Sequence, residues 1–224
     1  MNIADPGFWI ALLQIIGVNI VLSGDNAVVI ALAARSLPAR HQRLAVVWGS
    51  AAAVVLRILL TIVAIQLLQL PYLKLVGSML LLWIAVKLLL PEADDGVKVN
   101  ATDNLWSAFK TILIADLVMS VDNVIGVAAV AKGSLTLLVL GLAISIPLVI
   151  FGSTLLLKIM NRYPIVITLG AALLGWVAGE MAVTDPLIRE WVNTNAGSLH
   201  WAAPIAGVLM VVVLGRWLAV RAQP

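Results

Sequence analysis

Within the apolar run NIVLSGDNAVVIALA (19–33), the residues able to hold a cation are Asn19, Ser23, Asp25 and Asn26. The set recurs 97 residues later in DLVMSVDNVIGVAAV (116–130), as Asp116, Ser120, Asp122 and Asn123. Carboxylate, amide and hydroxyl oxygens are hard ligands, suited to Mg²⁺, Ca²⁺ and Mn²⁺. An ionisable group at bilayer depth is costly and ordinarily faces the bundle interior with a partner. On a helix turning about 100° per residue, Asn19, Ser23 and Asn26 share one stripe, while Asp25 lies about 120° from Asn19. Asp116, Ser120, Asn123 and Asp122 repeat that layout. A straight helix would not aim all four groups at one point. Gly24 permits local unwinding, which would free backbone carbonyls as further ligands. The second copy has Val121 there.

Other polar residues are accessory to this set. Met119, one turn before Asp122, offers a single soft thioether that would tilt preference toward Mn²⁺, although plain packing explains it as well. Arg57, inside an apolar run, reads as a fixed countercharge that occupies the site when no cation does. The competing structural reading has it neutralise Asp25. Lys87 and Glu180 are equivalent by repeat, with opposite sign; snorkelling to the interface accounts for Lys87, and Glu180 is a candidate for a cation or proton path. The two histidines, His41 and His200, fall at span ends and the chain has no cysteine, so a buried imidazole–thiolate metal site is excluded. No nucleophile–base constellation, phosphate-cradling glycine loop or dinucleotide fingerprint is present, and no enzymatic activity is expected. No permanently bound cofactor is expected either.

The elements that must position these residues are membrane spans. Hydrophobic residues make up 62% of the chain and charged ones 11%, where soluble domains carry about 25% charged residues. Runs of about 20 apolar residues can cross a bilayer, and seven are expected, at 8–33, 44–69, 71–90, 105–131, 134–158, 164–183 and 201–219. The break between the second and third rests on Pro71. Aligned at the offset of 97, residues 8–35 and 105–132 share nine of 28 positions, including Trp9/Trp106, Ile15/Ile112, Ser23/Ser120, Asp25/Asp122 and Asn26/Asn123. The third and sixth runs agree at an offset of 93, through Pro71/Pro164, Gly77/Gly170 and Trp83/Trp176. The second and fifth align weakly, through Gly49/Gly141.

The unit is therefore three helices present twice, 8–90 and 105–183, joined by the loop 91–104 and followed by a seventh helix at 201–219. An odd number of crossings per unit makes the second inverted relative to the first. That arrangement holds substrates near the midplane in many secondary transporters. The fold class is all-α and polytopic.

Orientation follows the bias of Lys and Arg. Ten fall on one side (Arg35, Arg40, Arg43, Lys87, Lys98, Lys110, Lys158, Arg162, Arg216 and Arg221) and three on the other (Lys74, Lys132 and Arg189), with Arg57 inside a span. The N-terminus is expected outside and the C-terminus in the cytoplasm. Cations spread over several loops make no nucleic-acid patch. The segment ALAAR (31–35) looks cleavable, but residues 1–7 hold no Lys or Arg and the run contains Asp25, so a retained span is expected.

The paired motifs NIVLSGDNAVVIA and DLVMSVDNVIGVAAV resemble the Asp-Asn signatures of the TerC integral membrane family, and the short seven-span length is most similar to its YjbE-like branch. The resemblance covers 8–219. It implies export of a divalent metal, chiefly manganese, from the bacterial cytoplasm across the inner membrane, and a link with tellurite resistance. By motif position it implies ion contacts at Asn19, Asp25, Asn26, Asp116, Asp122 and Asn123. With Asn19 where the second copy has Asp116, three carboxylates would meet the ion. No counterpart of the soluble C-terminal domain of longer relatives is expected, which puts regulation through such a domain in doubt. The leading reading is a secondary transporter of Mn²⁺ or a similar dication, driven by proton or cation exchange. The alternatives are an exporter of a cationic amino acid or other small solute, and a membrane scaffold in tellurite or metal stress that transports nothing. The expected partners are the lipid bilayer and the ion. The oligomeric state stays open, a homo-oligomer included.

Overall fold

Uninterrupted runs of Leu, Ile, Val and Ala become helices in lipid because each backbone N–H and C=O must then find its partner within its own segment. A computed structural model describes residues 6–67, 72–90, 101–131 and 134–221, and every regular element among them is an α-helix. In chain order these are α1 (Pro6–Leu22), α2 (Gly24–Ala34), α3 (Ala39–Leu67), α4 (Leu73–Leu89), α5 (Ala101–Ala131), α6 (Leu135–Arg162), α7 (Ile165–Val183), α8 (Arg189–Asn195) and α9 (Leu199–Arg221). Among the described residues, stretches of α3 (Ala39–Ile62), α6, α7 and α9 are long and apolar enough to cross a bilayer. Gly7–Asn19 and Gly24–Ala34, bent by 47° at the break between them, make a fifth if the pair is one span. Pro71, Lys132 and most of the 91–104 connection lie outside the described residues.

Small residues set the helix contacts. The tightest pairing, α7 on α9, brings Gly175 and Gly179 against Ala203 and Gly207; a Cβ on Gly175 would lie 2.6 Å from the Gly207 carbonyl oxygen. Close backbone approach of this kind drives association where lipid offers no hydrophobic gain. On α6, Gly141 receives the Ile15 side chain of α1 so closely that a Cβ there would overlap it. On α3, Gly49 receives Ile112 of α5, with a Cβ falling 2.9 Å from Ile112 Cδ1. Facing outward are large apolar side chains that water would penalise, such as Trp48, Phe151 and Leu209, each more than half exposed. They suit a lipid surround.

One carboxylate ties two connections together. Asp185, fully buried beyond the end of α7, accepts hydrogen bonds from Tyr72 N (3.2 Å), Lys74 N (3.1 Å), Leu75 N (3.2 Å) and Leu187 N (2.9 Å). It thus satisfies the orphan donors at the start of α4 from a distant point in the chain. Tyr72, which opens α4, has φ 68°, a left-handed conformation costing a non-glycine residue about 1–2 kcal/mol. The bonds to Asp185 hold it there.

Candidate functional site

The stripe of polar residues on the first span ends at a helix break. The α1 helix stops at Leu22, Ser23 adopts a turn (φ −108°, ψ 4°), and α2 restarts at Gly24. The local break that Gly24 permits is therefore present. The second copy differs, since α5 runs unbroken through Val121 and Asp122. No atom lies within 4 Å of a Cβ built on Gly24, so close packing does not demand glycine there. What glycine supplies is a low local helix preference at the break.

Four residues from the two copies converge on one cation, the Arg57 guanidinium of α3. Arg57 Nη1 donates to Asn19 Oδ1 (2.8 Å) and Ser23 Oγ (2.9 Å); Nε donates to Ser120 Oγ (3.0 Å); Nη2 pairs with Asp116 Oδ1 (2.5 Å). Ser23 Oγ also donates to Asn19 Oδ1 (3.3 Å), and Ser120 Oγ to Asp116 Oδ2 (3.1 Å). Each copy thus contributes an i,i+4 pair, which helical periodicity places on one face. All five side chains are buried, Asn19 and Ser120 completely. The Asn19 amide spends its oxygen on the clasp and leaves Nδ2 with no hydrogen-bond partner among the described residues.

The ion-pair partner of Arg57 is Asp116, where the structural reading of the sequence placed Asp25. The reason is packing: α3 lies against α5, so the acid on α5 meets the guanidinium. Asp25 instead accepts a hydrogen bond from Asn26 N (2.8 Å) and lines a separate polar cavity. That cavity, ≈ 550 Å³, also receives Met119, Asn123, Glu180 and Thr184. Asn26 borders a small crevice with Asp116, Val29, Ile30 and Ile112. Asp122 belongs to α5, but its side chain lies outside the described residues. Among the described residues no three His, Asp or Glu side chains gather as a ready-made metal cage.

Several contributors went unsingled in the sequence. Thr61 donates to the Arg57 carbonyl oxygen (2.7 Å), one turn along α3. Lys74, Arg189, Asn193 and His200 line the Asp25 cavity, and His200 Nε2 lies 2.8 Å from Asn193 Oδ1. Their one shared signal is that all fall at span ends assigned to the same side. Asp185 carries the signal of an acid between an apolar run and a proline.

A helical bundle with apolar outer faces and a buried, charged centre defines an integral membrane protein. The chain belongs to the integral membrane protein TerC family, whose profile matches residues 4–223. It is 39% identical over 209 residues to the uncharacterized membrane protein YjbE of Bacillus subtilis, covering 93% of this chain and 95% of that one. It is 23% identical to the uncharacterized membrane protein YkoY of the same organism, over 93% of this chain and 71% of the relative. To the UPF0053 protein YegH of Escherichia coli it is 27% identical, over 75% of this chain and 35% of the relative. No solved structure matches.

Proposed function

We propose that the chain is a secondary transporter that exports Mn²⁺, or a similar hard dication, across the bacterial inner membrane through an Asp/Asn site between two inverted three-helix repeats. The observation that carries this reading is the clasp. Residues equivalent by repeat, Asn19 with Asp116 and Ser23 with Ser120, close from both copies around one buried positive charge. A centre that holds a tethered cation this way is chemically suited to a free one. Arg57 then takes the site when the ion has left, and an arriving dication displaces it to reach Asp116.

The inverted repeats, 8–90 and 105–183 with the seventh helix 201–219 appended, draw support from the packing. Gly49 and Gly141 are equivalent by repeat, as are Ile112 and Ile15, and each glycine receives the isoleucine of the other copy. The contacts of α3 with α5 and of α1 with α6 are related the same way. The outside N-terminus and cytoplasmic C-terminus are supported by the Lys/Arg bias. Lys87 over Trp83 (5.2 Å), Lys110 over Trp106 (5.3 Å) and Arg221 over Trp217 (3.8 Å) would all lie at the inner interface, where aromatic rings and basic side chains anchor spans.

A second reading keeps the transporter and changes the cargo. The group held in the clasp is a guanidinium, so a cationic amino acid also fits its four oxygen acceptors. Purified protein in liposomes separates the two. Mn²⁺ flux should fall at least about tenfold in Asp25→Asn and Asp116→Asn, with arginine failing to compete. Arginine flux without Mn²⁺ flux would install the second reading, and unchanged Mn²⁺ flux in both variants would remove the ion site altogether.

A further inference from the structure

The two ends of the bundle are not equally open to the motif residues. The cavity that receives Asp25, Met119 and Asn123 continues to Glu180 and Thr184 at the end of α7 and to His200 at the start of α9. At the opposite end a second cavity, ≈ 310 Å³, lies among α2, α4 and α5 and is lined by Arg35, Lys87, Ser107 and Thr111. Among the described residues it reaches none of the motif positions and has no carboxylate in its lining. Between it and Asp116 stand Val29, Ile30 and Ile112, each no more than 2% exposed. One route is therefore an open, polar-lined cavity as far as Asp25, and the other is stopped by packed aliphatic side chains.

We propose that this is the outward-open arrangement, in which the cavity is the release path for a hydrated dication and Glu180 is the carboxylate the ion meets after leaving Asp25. The proposal rests on the transport reading above for its cargo and for which end is outside. Volume is adequate: a water occupies about 30 Å³, so six waters around an ion need about 180 Å³ of the ≈ 550 Å³ present. The lining carries both signs. Asp25 and Glu180 attract the ion, and the positive charges of Lys74 and Arg189 in the same cavity offset part of that attraction, so a dication passing through is not trapped. Val29, Ile30 and Ile112 are the inner barrier, which must part before the ion enters from the cytoplasm.

The chain contains no cysteine, so a single introduced thiol reports one position. A membrane-impermeant, charged methanethiosulfonate should modify Val177→Cys and Thr184→Cys, both lining the Asp25 cavity, from the outer side only, and Ser107→Cys from the inner side only. It should leave Ile30→Cys unmodified from either. Modification of Val177→Cys and Thr184→Cys from the inner side, or of neither, overturns the vestibule whatever the protein transports. With Mn²⁺ alone as probe in liposomes, Glu180→Gln should slow export about threefold to tenfold and weaken inhibition by Mn²⁺ added outside. Wild-type export by Glu180→Gln, with Asp25→Asn inactive, removes Glu180 from the path. Wild-type export by Asp25→Asn as well overturns the transport reading instead, and the labelling pattern then stands or falls by itself.

Discussion

At the scale of single residues, the Arg57–Asp116 pair governs what the centre tolerates. Removing one partner of a buried ion pair costs about 3–5 kcal/mol, because the remaining charge is left uncompensated. Arg57→Ala should therefore lower the unfolding temperature in detergent, and Mn²⁺ should restore more of it than it adds to the wild-type protein, where Arg57 competes for the same oxygens. Thermal unfolding with and without Mn²⁺ measures this directly; equal shifts in the two proteins would mean that the ion does not bind where Arg57 sits. Arg57→Lys should not substitute, since an ammonium cannot span four acceptors spread on both sides of a planar fork. Asp185 makes a contrasting case. Its four backbone partners are structural, and hydrogen bonds to a charged group contribute about 1.5–3 kcal/mol each without adding fully. Asp185→Ala should destabilise by about 2–4 kcal/mol, and the protein that does fold should transport normally, as liposome flux per folded molecule would show.

At the scale of elements, the two copies of the motif have parted company. The first is broken between α1 and α2, and the second continues through α5. Only a broken helix exposes backbone carbonyls at depth, so the first copy is the one able to supply them. Gly24 sits at this break with open space where a Cβ would go, so Gly24→Ala should fold without strain and gain up to about 1 kcal/mol from helix propensity. If the break must flex during the cycle, the same change should slow transport several-fold while raising the unfolding temperature. Faster unfolding would show instead that glycine is needed for packing. The α7–α9 contact is a different kind of element pairing. There a methyl group on Gly207 would strike the Gly175 carbonyl, and relief requires the whole of α9 to move.

For the whole molecule, orientation is the property on which the proposed transport cycle depends. If the N-terminus lies outside, as proposed, reporter fusions at Pro224 and within 91–104 should both score as cytoplasmic, and a fusion near Thr194 should score as external. A loop 91–104 on the same side as the N-terminus would give both halves the same orientation and end the inverted-repeat reading. The asymmetry of the two cavities belongs to the same scale. It arises because α4, α5 and α2 close around Val29, Ile30 and Ile112 at one end, while α7, α8 and α9 stand apart from Asp25 at the other.

Membership of a membrane class, the polar centre and the repeat were legible in the chain because each depends on local pattern. Apolar run length decides which segments enter lipid, and an offset of 97 residues brings Trp, Ser, Asp and Asn into register without any knowledge of packing. The i,i+4 spacing of Asn19 with Ser23 and of Asp116 with Ser120 follows from helical geometry alone. Which acid Arg57 would meet did not follow. Asp25, Asp116 and Asp122 are equivalent candidates by composition, and the choice fell to Asp116 only when α3 packed on α5. The sorting of Asp25 and Asn123 into a cavity shared with Glu180, and of Asp185 onto the start of α4, likewise joins residues more than 50 positions apart. Such contacts are decided by how helices pack through their small residues, and the sequence of any one helix carries no information about which neighbour will be there.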